Sequence, residues 1–107
     1  MDKEWESIGY LKLAEAYANA QSEADRLDGM RKRIFSLMVI EFTGEGKSNA
    51  AAEHLARASD QYGEILEKHS DAATAANLAR AVYDSKKVAF EFWRTKESTK
   101  RAEMNLR

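Results

Sequence analysis

The chain has no cysteine and no proline, and only five of its 107 residues are glycine. Without cysteine there is neither a disulfide framework nor a thiolate metal site, which fits a reducing compartment. Without proline, and with so little glycine, nothing forces the backbone out of long regular elements, and the dominance of Ala, Glu, Lys, Arg and Leu makes those elements helices. The first residues, Met1-Asp2-Lys3-Glu4, lack the basic-then-apolar order of a signal peptide. No apolar run approaches the roughly 18–20 residues that a bilayer span needs. These absences predict an all-α, cytoplasmic protein with no membrane contact.

One domain is expected from the length. Alanine supplies 18 of the apolar residues, and an alanine excludes far less water than a Leu or Phe, which stabilises by roughly 1.5–3 kcal/mol when buried. Such a thin core predicts association between copies. The formal charge of −1 hides a segregation: residues 1–30 hold seven acidic and three basic side chains, whereas residues 84–107 hold four acidic and seven basic. The two ends of the chain attract each other, within one molecule or head to tail between molecules, unless both are simply solvated helix faces.

From Tyr10 the apolar and small residues step by three and four through Leu13, Tyr17, Ala20, Ala24, Leu27, Met30, Ile34 and Leu37. This close-to-heptad stripe predicts a coiled-coil-like helix from about residue 3 to about residue 42. Its last turns carry Ile34, Phe35, Leu37, Met38, Val39, Ile40 and Phe42. They cover every side of the helix, so these seven residues are the expected oligomer interface unless the rest of the chain encloses them. A turn over residues 43–49 follows, with its glycines suited to a left-handed C-cap and Ser48 or Asn49 suited to cap the next helix. A second helix is expected over about 50–69 and a third over about 71–105. Ser70 or Asp71 would cap the third helix, giving a three-helix bundle. If the chain does not break there, the fold is a long-helix hairpin.

Chemistry-bearing patterns are few. Gly46-Lys47-Ser48 imitates the end of a phosphate-binding loop, but Glu41 stands where the first glycine is required and a helix precedes it. Neither His54 nor His69 sits in an H-x-x-x-H or E-x-x-H arrangement that would place two metal ligands on one helical face. No carboxylate pair is singled out for acid–base work. No catalytic residue, metal site or cofactor is expected, and the protein is read as a non-enzyme.

Basic residues cluster at Arg31-Lys32-Arg33 and again at Lys86-Lys87, Arg94, Lys96, Lys100 and Arg101, the second group interleaved with Phe90, Phe92 and Trp93. Cations beside aromatic rings are what a single-strand nucleic-acid surface requires, although Phe90 and Trp93 also continue a core stripe from Ala79 and Val82. With a break at residue 70, Lys86 would fall near residue 55 and both clusters would converge with Lys47. In a hairpin, Lys86 would instead fall near Glu6. The candidate DNA contacts are Arg31, Lys32, Arg33, Lys47, Lys86, Lys87, Trp93 and Arg94.

The order of features, from Arg31-Lys32-Arg33 through Phe42-Thr43-Gly44-Glu45-Gly46-Lys47 and on to the helix bearing Lys86 to Arg101, resembles UvsY-type recombination mediators of T-even and related phages. The resemblance spans about two thirds of the chain. It implies a homo-oligomer in the bacterial host cytoplasm that binds single-stranded DNA and works with a recombinase and single-strand-binding protein. Contacts implied by it are Arg31, Lys32, Arg33 and Lys47, with Lys86 and Lys87. This chain departs from the family in the Glu between its glycines, in its lack of net basicity and in its shorter length. A helical protein–protein adaptor without a nucleic-acid role is the alternative. Secreted WXG-type hairpins are a poor match, since the turn has no tryptophan and Tyr83 is followed four residues later by Lys87.

Overall fold

The computed structural model describes residues 3–106, and the side chains of residues 9–106. Three helices account for nearly all of it: α1 (Lys3–Gly44), α2 (Asn49–Ala58) and α3 (Asp60–Asn105). No strand occurs among the described residues. The all-α expectation holds, and α1 has nearly the predicted span.

The end of α1 is built by a left-handed glycine. Gly46 has φ 94°, a conformation in which a Cβ would meet the following carbonyl. The Lys47 amide donates to the Phe42 carbonyl at 3.1 Å and the Gly46 amide to that of Thr43 at 3.0 Å. This is a Schellman closure, which satisfies two of the carbonyls a helix end leaves open. Ser48 then caps α2, its hydroxyl accepting from the Ala51 amide at 3.2 Å.

The next break falls at Ser59, not near residue 70, which corrects the predicted second and third helices. Ser59 is extended (φ −74°, ψ 150°) and serves both neighbours. Its amide donates to the Ala56 carbonyl at the end of α2, and its carbonyl accepts from Gly63 in the first turn of α3. Its hydroxyl accepts from the Tyr62 amide at 3.2 Å and lies 2.7 Å from the Ala56 carbonyl and 3.1 Å from Met38 Sδ. At Ser70 the helix continues, and the Thr74 hydroxyl donates to the Ser70 carbonyl. Ala72, Ala73 and Ala76 turn inward there. Small residues on the packed face let the helix run on without a steric reason to bend, so the turn that would have folded Lys86 back toward residue 55 does not exist.

The chain divides into two compact units, Asn19–Ala76 and Met1–Ala18 with Asn77–Arg107. Within the first, α1 pairs antiparallel with α3: Asp28 lies by His69, Phe35 by Tyr62 with ring centroids 5.6 Å apart, and Met38 by Ser59. All the buried residues described, namely Ala24, Leu27, Ala52, Ala56, Ile65 and Ala76, belong to this unit. Of the seven predicted interface residues, Ile34, Phe35, Met38, Val39 and Phe42 are half-buried in the unit, and only Leu37 and Ile40 are exposed.

The second unit is held by aromatic rings. Tyr10 lies 5.2 Å from Tyr83 and 5.9 Å from Phe90, and Tyr17 stacks on Tyr83. These pairs again set α1 antiparallel to α3. The tyrosine hydroxyls of residues 10 and 83 meet at 2.8 Å, so the polar tips of an otherwise apolar seam satisfy each other. Acidic residues of the first turns, Glu6 included, lie outside the described side chains, so the expected meeting of the charged chain ends has no geometry here.

Candidate nucleic-acid interface

The inward positions of α3 in the aromatic unit, Ala79, Tyr83, Lys86, Phe90, Trp93 and Glu97, alternate in steps of three and four and are all half-buried. That heptad stripe fixes what every other position on the helix faces. One step round from it stand Arg80, Lys87, Arg94 and Arg101, each separated from the next by seven residues and all exposed. Seven residues are close to two turns, so the four cations form a column with steps of about 10 Å. Asp84 and Glu91 occupy the adjoining column. The one ion pair described between the two columns, Arg80 to Asp84, spans 3.7 Å between side chains that are 64% and 56% exposed, a type of pair that holds its charges only weakly.

The α1 cluster is of a different character. Arg31 donates from Nη2 to Asp28 Oδ1 at 2.6 Å and from Nε to the same oxygen at 3.2 Å, and reaches the Tyr62 hydroxyl at 3.4 Å. Lys32 Nζ lies 3.0 Å from Asp28 Oδ2, and His69 Nε2 lies 3.7 Å from Oδ1. Hydrogen bonds from Arg31 and then Lys32 hold the Asp28 carboxyl well below the usual range, at about 2. The same contact, followed by Tyr62, raises the Arg31 pKa. Arg31 is therefore a structural cation that ties α1 to the start of α3. Arg33 and Lys47 are exposed and have no ion-pair partner among the described residues.

The aromatic residues separate by face. Trp93 is half-buried beside Phe90, centroids 6.1 Å apart, and Phe90 in turn contacts Tyr10, so both belong to the packed seam. Phe92 is 72% exposed, but two residues on from Phe90 it points to the far side of the helix, away from the cationic column. The column of Arg80, Lys87, Arg94 and Arg101 therefore has no aromatic ring interleaved with it, whereas Phe92 and Trp93 share an open groove of about 640 Å³ with Lys96 and Lys100. Lys86 is half-buried and lines a second groove with Leu13, Val82 and Ala89, its stem covering apolar surface. Of the predicted contacts, Lys87 and Arg94 join the column, Arg31 and Lys32 are engaged by Asp28, and Lys86 and Trp93 face inward.

Arg80 and Arg101 belong to this surface but were not among the predicted contacts, although their seven-residue spacing from Lys87 and Arg94 is visible in the sequence. No group of His, Asp and Glu able to hold a metal ion occurs among the described residues. No described helix is long and apolar enough to cross a membrane. No protein-family model, curated protein or solved structure matches this chain.

Proposed function

We propose that this chain is a non-enzymatic accessory protein of DNA recombination or processing, which binds single-stranded DNA as a homo-oligomer in the cytoplasm and acts alongside recombination proteins. The observation that carries the reading is the solvent-exposed column Arg80, Lys87, Arg94 and Arg101. Its regular spacing along one helix suits a flexible, repeating polyanion. Phosphate neutralisation supplies affinity independent of base sequence, as an accessory protein that must act anywhere on a strand requires. Arg33 and Lys47 supply further exposed cations, in keeping with the resemblance to UvsY-type mediators.

The test is a titration of fluorescently labelled oligothymidylate at several salt concentrations. Four phosphates neutralised give a log–log slope of about −3, or roughly a 50-fold loss of affinity between 50 and 200 mM salt. Binding that is absent at low salt, or insensitive to salt, overturns this function. A second reading, a helical adaptor for another protein, is favoured by the exposed Leu37 and Ile40, and a partner would then bind α1 with little salt dependence.

A further inference from the structure

On the side of α3 away from its aromatic seam, every third or fourth residue from Leu78 to Ala102 is exposed and uncharged. The large members are Leu78 (67% exposed), Val88 (67%) and Phe92 (72%). All eleven charged residues between Asn77 and Leu106 fall elsewhere on the helix. The spacing is again that of a heptad, so α3 carries two such stripes, one packed against α1 and one open. A helix face with this period has the form of one half of a two-helix seam. Among the described residues, the unit that bears it contains none of the buried ones, so it has apolar surface still to cover.

We propose that the open stripe is the dimer interface of this protein, and that its occupant is the same stripe of a second copy, parallel and in register. Of the charges that flank the stripe, Glu91 and Lys96 carry the choice of partner and direction, while Asp84 and Glu103 would face the uncharged Ala89 and Ser98 of a parallel partner. Counting Phe92 as a core position, Glu91 precedes it on one flank and Lys96 follows on the other. In a parallel pair, Glu91 of each copy meets Lys96 of the other, so the two-fold axis makes the contact twice. A helix turned end for end about Phe92 sets Glu91 against Glu91 of the other copy, and like charges there repel. Ser85 and Thr95 fill layers between the larger residues and allow close approach. The cationic column lies outside the seam, so pairing places two columns on one assembly. The inference names the surface for the self-association in the proposed function and does not depend on nucleic-acid binding.

Two measurements without nucleic acid test it. In sedimentation equilibrium of the full chain at micromolar concentration, the wild type is expected at twice the chain mass. Val88→Asp with Phe92→Asp is expected at the single-chain mass, its dimer weakened by at least about a hundredfold. Both positions are exposed in the single chain, so helicity by circular dichroism should be unchanged. Because the chain has no cysteine, Ser85→Cys reports direction: a parallel in-register dimer brings the two thiols face to face, and mild oxidation gives a covalent dimer that still sediments as two chains. A wild-type monomer overturns the proposal and leaves the face to a different protein. A dimer untouched by the double substitution, or a Ser85→Cys variant that does not cross-link, overturns the assigned surface or its direction.

Discussion

The hydroxyls of Tyr10 on α1 and Tyr83 on α3 lie 2.8 Å apart, in the middle of a cluster completed by Tyr17 and Phe90. The bond to Tyr83 raises the Tyr10 pKa above its ordinary value of 10.0, with desolvation acting in the same direction. A phenol with a raised folded-state pKa adds stability that is fully present below pH 10 and is lost as the pH climbs through the folded value. Melting temperature should therefore hold to about pH 10 and then fall, with tyrosinate absorption rising in step. Tyr10→Phe keeps the ring contacts and should remove most of that alkaline dependence. An unchanged alkaline profile would show that the two hydroxyls are not partners in solution.

Asp28 predicts the opposite limb. Its carboxyl is depressed from 3.8 to about 2, first by Arg31 and then by Lys32. A depressed carboxylate stabilises above its unfolded pKa, and that contribution disappears as the pH falls through the folded one. Thermal unfolding followed from pH 5 down to about pH 2 should show this loss in the wild type and a flatter profile in Asp28→Asn. The variant should also be less stable at neutral pH, because Arg31 loses its carboxylate.

Ser59 is the single residue that separates α2 from α3, and its hydroxyl accepts from the Tyr62 amide. Ser59→Ala removes an N-cap at a cost of about 1 kcal/mol, equivalent to a melting-temperature drop of about 3–6 °C. Ser70→Ala lies inside a continuous helix and should shift stability by less than about 0.5 kcal/mol. Equal effects at the two positions would mean that the break is not where the structure has it.

That pair of serines also shows where sequence legibility ended. Ser59-Asp60 and Ser70-Asp71 are the same dipeptide, and each can cap a helix by the same mechanism. Local chemistry does not choose between them. Leu55, Ala58, Tyr62 and Ile65 step by three and four straight across the first, which hid it, and the alanine run that follows the second permits an unbroken helix. The other helix end was readable because Gly44 and Gly46 both lie there, and only a left-handed residue closes the last turn of α1. The engagement of Arg31 and Lys32 could have been read from Asp28 three and four residues earlier, the spacing at which helix side chains meet. The faces of Phe90, Phe92 and Trp93 also follow from helical periodicity once the inward stripe is fixed, and fixing it needed the contacts of Tyr10 and Tyr83.

The functional reading rests on the regular column of cations on α3, and the two basic clusters can be separated experimentally. Arg80, Lys87, Arg94 and Arg101 are exposed on one face of α3, whereas Arg31 and Lys32 share Asp28. Lys87→Glu with Arg94→Glu should abolish measurable single-strand binding at 200 mM salt. At lower salt it should reduce the log–log slope by at least the two phosphates those residues neutralise, about 1.4 in slope. Helicity and subunit number should stay as in the wild type, because neither residue packs against α1 or lies on the open stripe. Arg31→Ala with Lys32→Ala should do the reverse, lowering the melting temperature while leaving the salt slope nearly intact. If the α1 pair changes the slope and the α3 pair does not, the strand runs along α1, and the column on α3 is a solvated face with no part in binding.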